Sequence, residues 1–400
     1  MNTISRRNAI RSVVAIATIT GAPAILRGRY QLFAQSKTEY SKRAVQLMTD
    51  ATVVDLLNQF RWADHSKTPP DPLKLWLTTP GTFTSNDLEL YRRSGINAFA
   101  LGLGADSYEA GLRFFARWNG FISDYSDVLH RVTVESDFAE ARNKAKIGIL
   151  LSMQRSDHFR TPDDVDEFFG LGQRISQLTY NFANRVGSGF LERKDGGLTE
   201  FGHSILERME KAGMAADLSH CADQTTLDAL DAASKPPLVT HATCRSLNKG
   251  HLRAKTDEAI QKLAKKGGVM GIMFVRYVVR DLEPVGIPQV LDHFDHVRGL
   301  VGVEHLAVGS DLDVIGNATP VGAGGEQGAK DAATANFDRY RYHVDRAEHE
   351  AANGLDHPQR MFDLTEGLIS RGYSDADIKM ILGGNAVRVL GEIWRPRNSA

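Results

Sequence analysis

The 400-residue chain predicts an α/β fold, a closed (β/α)8 TIM barrel, on three observations. Short apolar runs alternate with helical patterns along the chain once the amino-terminal segment is passed. Eight such runs can be counted, each largely apolar with little strict alternation, as expected of strands buried in a parallel sheet. Three of them run into a polar side chain, and parallel barrels present their working groups at the carboxyl ends of strands. No Gly-x-Gly-x-x-Gly or Walker-type loop opens a helix, which counts against a nucleotide-binding sheet.

In chain order, residues 1–35 read as an export signal. Arg6 and Arg7 precede a weakly apolar run from Ser12 to Ile25, and Ala22-Pro23-Ala24 offers a cleavage site. The paired arginines suggest the twin-arginine route, hence a periplasmic or otherwise exported protein. The run is too short and too polar for a membrane span, so no transmembrane segment is expected after signal removal. Residues 36–400 then form one barrel domain. A helical stretch around Tyr40–Thr49 leads into the expected strands Thr52–Leu57, Asn97–Leu101, Ile147–Met153 and Ile175–Tyr180. Ala215–His220, Leu238–His241, Val269–Phe274 and Leu306–Gly309 complete the eight. Two excursions interrupt them. Ser107–Lys144 reads as one or two helices carrying Trp118 outside the barrel. Residues 314–356 open Gly-rich (Gly322, Gly324, Gly325, Gly328) and continue into a charged helix, Phe337–Ala352; this reads equally as a lid over the barrel mouth or as a disordered surface loop. Two short helices, Leu364–Arg371 and Asp375–Leu382, and a final helix after Gly383-Gly384-Asn385 close the chain.

Composition narrows the partners. With 42% apolar and 24% charged residues the chain can bury a large core, and barrels routinely use this length as one domain. A formal charge of −1 leaves no basic field for nucleic acid. The two cysteines, Cys221 and Cys244, cannot make a disulfide framework. They are open to three readings: ligands, a pair, or small buried hydrophobes, the last being the default.

The chemistry concentrates at three strand ends. Gly213–His220 and Pro237–His241 each read as a buried strand ending on a histidine, with a helix (Gln224–Ala233) between them. His305–Asp311 is a third apolar run, and it stops at a carboxylate. Imidazole is the commonest metal ligand. Hydrolytic barrels pair imidazoles that hold a divalent ion with a carboxylate that handles the proton of the attacking water. A lone histidine in an apolar run is more often a satisfied core residue; two at matching strand ends, with an aspartate at a third, outweigh that reading. Ser219 has no Gly-x-Ser-x-Gly elbow around it, which counts against a serine nucleophile.

At these residues the chain resembles the membrane (renal) dipeptidase family of zinc hydrolases. The matching phrases are Asp217-Leu218-Ser219-His220, Thr240-His241 with Arg245-Ser246-Leu247, and Arg253 before Thr256-Asp257-Glu258. Val301–His305 through Gly309–Asp313 matches as well, as does Leu364-Thr365-Glu366 through Gly372-Tyr373-Ser374 to Ile381–Asn385. The resemblance implies an amidohydrolase-type barrel, often a homodimer, with two bridged zinc ions that cleave dipeptides. It makes His220 and His241 the ligands of one zinc, Asp311 the aspartate that also manages the proton, and Arg253 the grip on a substrate carboxylate. Tyr180 falls near the family's histidine after the fourth strand and is assigned to substrate binding. The family's His-x-Asp on the first strand meets Leu57 and Gln59 here, and its bridging glutamate meets Gln154. No anion then remains to bridge two divalent ions. The expectation is one zinc ion at most, on His220 and His241 and completed by Gln154, water or His158. Asp311 would be the catalytic base of a hydrolase acting on a dipeptide or small amide. The rival is a periplasmic binding or maturation protein that keeps the pocket without hydrolysis. A weaker third reading is a metal-free lyase or isomerase using Asp311.

Overall fold

The computed structural model describes residues 29–31, 39–61, 72–102, 104–280, 285–315, 355 and 357–395. Apart from residues 29–31, the export segment lies outside the described residues, as does the candidate lid apart from residues 314, 315 and 355.

A short antiparallel ribbon, β1 (Arg29–Gln31) with β2 (Glu39–Ser41), precedes the barrel. Ser41 then caps the helix Lys42–Asp50, its Oγ accepting from Ala44 N at 3.1 Å. The barrel strands are β3 (Val54–Asn58), β4 (Ala98–Leu101), β6 (Ile147–Leu150), β7 (Ser152–Met153) and β8 (Ile175–Gln177). They continue with β9 (Ala215–Asp217), β10 (Leu238–Ala242), β11 (Val269–Ile272) and β12 (Leu306–Val308). All their pairings are parallel, in the orders β3-β4-β6 and β7-β8-β9-β10-β11-β12. β6 and β7 are one strand course that changes partner at Leu151: Ser152 Oγ donates to Leu101 O at 2.5 Å, and Leu151 O accepts from Arg174 N at 2.9 Å. The ring closes where Asp311 N donates to Leu57 O at 2.9 Å and Gln59 N to Leu312 O at 3.1 Å. All eight expected strands are present, in a closed (β/α)8 barrel. Its interior is filled to contact: a Cβ added at Gly271 or Gly309 would lie 2.0 or 1.8 Å from Thr240 O.

The excursion at Ser107–Lys144 is not purely helical. Helices Tyr108–Asp124 and Glu135–Asn143 flank a ninth strand, β5 (Leu129–Val132), paired in parallel with β6 along all four residues. His130 and Arg131 interrupt its apolar run, so a window that short carried no strand signal. The strand expected at Ile175–Tyr180 ends at Gln177, and the last expected helix pair breaks at Met380–Gly384.

Which end of the barrel is open is decided by its plug. Helix Asn385–Trp394 packs Ala386, Val389, Leu390 and Ile393 against Val54, Ala98, Leu150, Ile175, Ala215, Leu238, Val269 and Ala307. Asn385 Nδ2 donates to Val303 O at 2.8 Å and to Leu306 O at 2.9 Å, pinning that helix to the start of β12. The amino-terminal ends of the strands are thereby sealed, and the carboxyl-terminal ends are left for chemistry. Among the described residues no helix is long and apolar enough to cross a membrane.

Candidate metal centre at the barrel mouth

The two histidines meet because β9 and β10 are locked together one turn before them. Asp217, buried at the end of β9, accepts four hydrogen bonds. They come from Ser219 N at 3.0 Å, Ser219 Oγ at 2.5 Å, Thr240 N at 2.9 Å and Thr240 Oγ1 at 2.6 Å. His220 and His241 come immediately after these hydroxyl residues, and their Nε2 atoms stand 3.0 Å apart.

The surrounding hydrogen bonds fix the tautomers. Thr240 spends its hydroxyl proton on Asp217, so its Oγ1 can only accept from His241 Nδ1, 2.8 Å away. His220 Nδ1 donates to Asn181 Oδ1 at 2.8 Å. Each ring therefore carries its proton on Nδ1 and turns a bare Nε2 toward the other. Two lone pairs at that distance repel unless a cation lies between them. Burial, reinforced by the Arg253 charge, holds both imidazoles well below their ordinary range, so that cation is not a proton near neutrality. Two nitrogens sharing a tetrahedral zinc, with bonds of about 2.05 Å, stand about 3.4 Å apart. A widening of a few tenths of an ångström would admit one ion, so the donor set fits a single metal.

The third side is weaker. Gln154 Nε2 lies 3.4 Å from His241 Nε2, and turning the amide over would present its oxygen instead. Asp311 Oδ2 is 4.0 Å from His241 Nε2, while Asp311 Oδ1 accepts from Gln59 Nε2 at 2.9 Å. Burial pushes the Asp311 carboxyl up to about 6, against the lowering pull of Arg253 and Gln59. The residue sits in the left-handed region at φ 56°, a strained setting held by its backbone bond to Leu57 O. Leu57 is buried in β3 and brings no donor. The position where the family resemblance implies His-x-Asp offers a buried alkyl chain and an amide already turned to Asp311.

Arg253 lies against the two histidine-bearing strand ends. It is buried, with Nη1 donating to Ser219 O and Nη2 to His241 O at 2.8 Å, so these donors tie the two histidine-bearing ends together. Tyr180 stacks on His220 with ring centroids 4.4 Å apart, and Phe190 lies 5.8 Å from the same ring. His158 is spent elsewhere: its Nε2 faces Gln173 Oε1 at 3.0 Å and its ring packs on Phe159 and Phe168. Cys221 and Cys244 are free and buried, Cys221 Sγ accepting from Thr179 Oγ1 at 3.4 Å. The sequence reading missed Asp217, Thr240 and Asn181 as the partners that orient the imidazoles. A hydroxyl directly before each histidine was the available signal for the first two; Asn181 had none. It also missed His130, Asp137 and Glu140, whose donor atoms lie within 4.8 Å of one another beside β5. Asp137 there already accepts from Thr133 N, Thr133 Oγ1 and Val134 N, and Glu140 pairs with Lys144.

Comparison with known proteins agrees with this geometry. The model of the membrane dipeptidase family, peptidase family M19, matches residues 41–324 and 347–400. Dipeptidase verJ of Clonostachys rogersoniana is 26% identical over 316 residues, covering 78% of this chain and 72% of the relative. Dipeptidase 3 of Mus musculus is 26% identical over 265 residues, covering 64% of this chain and 47% of the relative; the chain thus spans about half the length of that protein. Among solved structures, an amidohydrolase from Pseudomonas aeruginosa superposes with a TM-score of 0.71 at 25% identity, over 88% of this chain and 99% of that one. A metallo peptidase from Rhodobacter sphaeroides, liganded with a phosphinate mimic of the dipeptide L-Ala-D-Ala, gives 0.66 at 16% identity, over 86% and 99%; that likeness speaks for the fold alone.

Proposed function

The chain belongs to the membrane dipeptidase family, and on that premise we propose that it is a metallohydrolase with a single-ion centre, acting on a dipeptide or similarly small amide. The observation that carries this reading is the pair of neutral imidazoles turning bare Nε2 atoms toward each other at 3.0 Å. His220 and His241 would hold the ion, with Gln154 beside them. When bound, a divalent ion such as zinc supplies Lewis acidity that lets water attack an amide at neutral pH.

The remaining work falls to the chain. Asp311 Oδ2, beside His241, takes the proton of the attacking water. Its pKa near 6 leaves it ionised at neutrality yet basic enough to accept. Asn181 and the Thr240–Asp217 relay keep both imidazoles in the ligating tautomer. Tyr180 and Phe190 cover the His220 ring and keep water off it. Arg253 holds the two strand ends in register, and its charge adds to the burial that keeps the imidazoles unprotonated.

A metal count on purified protein tests the reading. One ion per chain is expected, lost in His220→Ala together with any dipeptide hydrolysis. Two tightly held ions would refute the single-ion assignment. A second reading, a binding protein without hydrolysis, is favoured by one observation: the Gln59 amide already occupies Asp311 Oδ1. Absence of any ion after incubation with zinc would transfer the weight to it.

A further inference from the structure

Three guanidinium groups line one cleft, joined to the imidazole pair through Arg155 and Tyr180. It measures about 440 Å³ and is lined by Arg113, Arg117 and Arg155, with Asp106, Phe114 and Leu77 among its other walls. Arg113 and Arg117 stand four residues apart on one face of the helix Tyr108–Asp124, a like-charge spacing that destabilises an isolated helix. Among the described residues no carboxylate lies within ion-pair distance of any of the three. Arg155 makes a different contact, its guanidinium 5.2 Å from the Tyr180 ring. The lining thus holds three positive charges against one negative, and nothing described neutralises the excess.

Arg155 also links the cleft to the mouth. It comes directly after Gln154, whose amide faces His241, and it reaches toward Tyr180, which stacks on His220. Gly104 makes its course tight: a Cβ there would come 3.3 Å from both Cγ and Nε of Arg155. The contacts Arg155–Tyr180 and Tyr180–His220 thus form a continuous course from this cleft to the imidazole pair. Planar guanidinium forks bind carboxylate and phosphate oxygens bidentately, and three around one space favour an anion over any neutral group.

We propose that this cleft is an anion subsite, which makes the preferred substrate a small amide or dipeptide bearing an additional carboxylate or phosphate on the side that reaches Arg113, Arg117 and Arg155. The inference rests on the dipeptide reading of the imidazole site, and the test separates the two. The whole protein with its metal retained is titrated calorimetrically with non-hydrolysable ketomethylene isosteres of L-Ala-L-Glu, L-Ala-L-Gln and L-Ala-O-phospho-L-serine, and with inorganic phosphate. The expected result is binding of Ala-Glu at least tenfold tighter than Ala-Gln, about 1.4 kcal/mol. That preference should vanish in Arg113→Gln/Arg117→Gln, whose helical surface positions spare the core, with Ala-Gln affinity unchanged. A further tenfold gain for the phosphoserine peptide would assign the anion to phosphate; parity or less would assign it to carboxylate. Equal binding of Ala-Glu, the phosphoserine peptide and Ala-Gln, or a preference that survives the double substitution, overturns the subsite and leaves the dipeptide reading standing. If no dipeptide binds, the dipeptide reading fails and phosphate decides the cleft alone. Phosphate binding lost in the double variant supports the subsite, and no phosphate binding overturns it.

Discussion

The barrel closes on one side and works on the other with the same arrangement of groups. At the β9–β10 edge, Asp217 accepts the amide and hydroxyl of Thr240, and Arg253 donates to the carbonyls of Ser219 and His241. At the β3–β12 edge, Asp55 accepts the amide of Ser310 at 2.8 Å and its hydroxyl at 2.5 Å, and Arg360 donates to the carbonyls of Asp313 and Val314 at 2.7 and 3.1 Å. Each aspartate is buried and also takes two donors from its own strand end. The two edges part company in the residues just beyond the aspartates. Ser219-His220 brings an imidazole to the mouth, whereas Leu56-Leu57-Asn58-Gln59 brings a buried alkyl chain and an amide. The frame that positions a metal ligand is therefore separable from the ligand. The β3 edge keeps the frame because the barrel needs it for closure.

The largest effect should come from breaking either frame. Asp217→Ala and Asp55→Ala each remove one acceptor from four donors, and each should cost about 4 kcal/mol or more, read as a fall in the guanidinium midpoint. The milder Asp217→Asn should also weaken zinc binding by about 10–100-fold, because Thr240 then loses the carboxylate that keeps its oxygen turned to His241. Asp55→Asn should leave zinc affinity unchanged. Equal loss of zinc from both would show that the two edges are not separable.

The comparison is sharpened by giving the β3 edge the ligands it lacks. Leu57→His/Gln59→Asp/Gln154→Glu should raise the metal content from one ion to two per chain. The Asp55–Ser310 frame already stands where the new imidazole and carboxylate would project. A count that stays at one would mean the frame does not aim this edge at the mouth.

The smallest effect concerns Gln59 and pH. The folded pKa of Asp311, about 6, lies above the ordinary carboxylate value of about 3.9. The stability linked to this group is therefore present below about pH 4 and lost as pH rises through 6. Proton acceptance by Asp311 runs the opposite way and switches on through the same range. Gln59→Leu removes a hydrogen bond to the ionised form. The acid limb of the hydrolysis profile should move up by on the order of half a unit to one unit, with little change in stability because Gln59 is half-buried. An unmoved limb would detach Asp311 from the proton transfer.

Reading the chain alone reached the barrel and all eight of its strands, and it put His220, His241 and Asp311 at strand ends that the fold brings near one another. These depend on local patterns: an apolar run too short for a helix must be buried on both faces, and a histidine at its end must emerge where parallel strands open. The ninth strand escaped, because in β5 only Leu129 and Val132 are apolar, and its pairing with β6 along all four residues has no signal in so short a run. The tertiary structure decided the rest. Arg253 reads from the sequence as a fork in a polar loop, and only the fold could bury it under two carbonyls. Asn181 and Gln59 carry no spacing signal, since a hydrogen-bond partner is set by distance in space and not along the chain. The arginine cleft has the same origin. Arg113 and Arg117 lie on a helix outside the barrel and Arg155 on a loop after β7, and nothing in the order of residues foretells that their charges share one space.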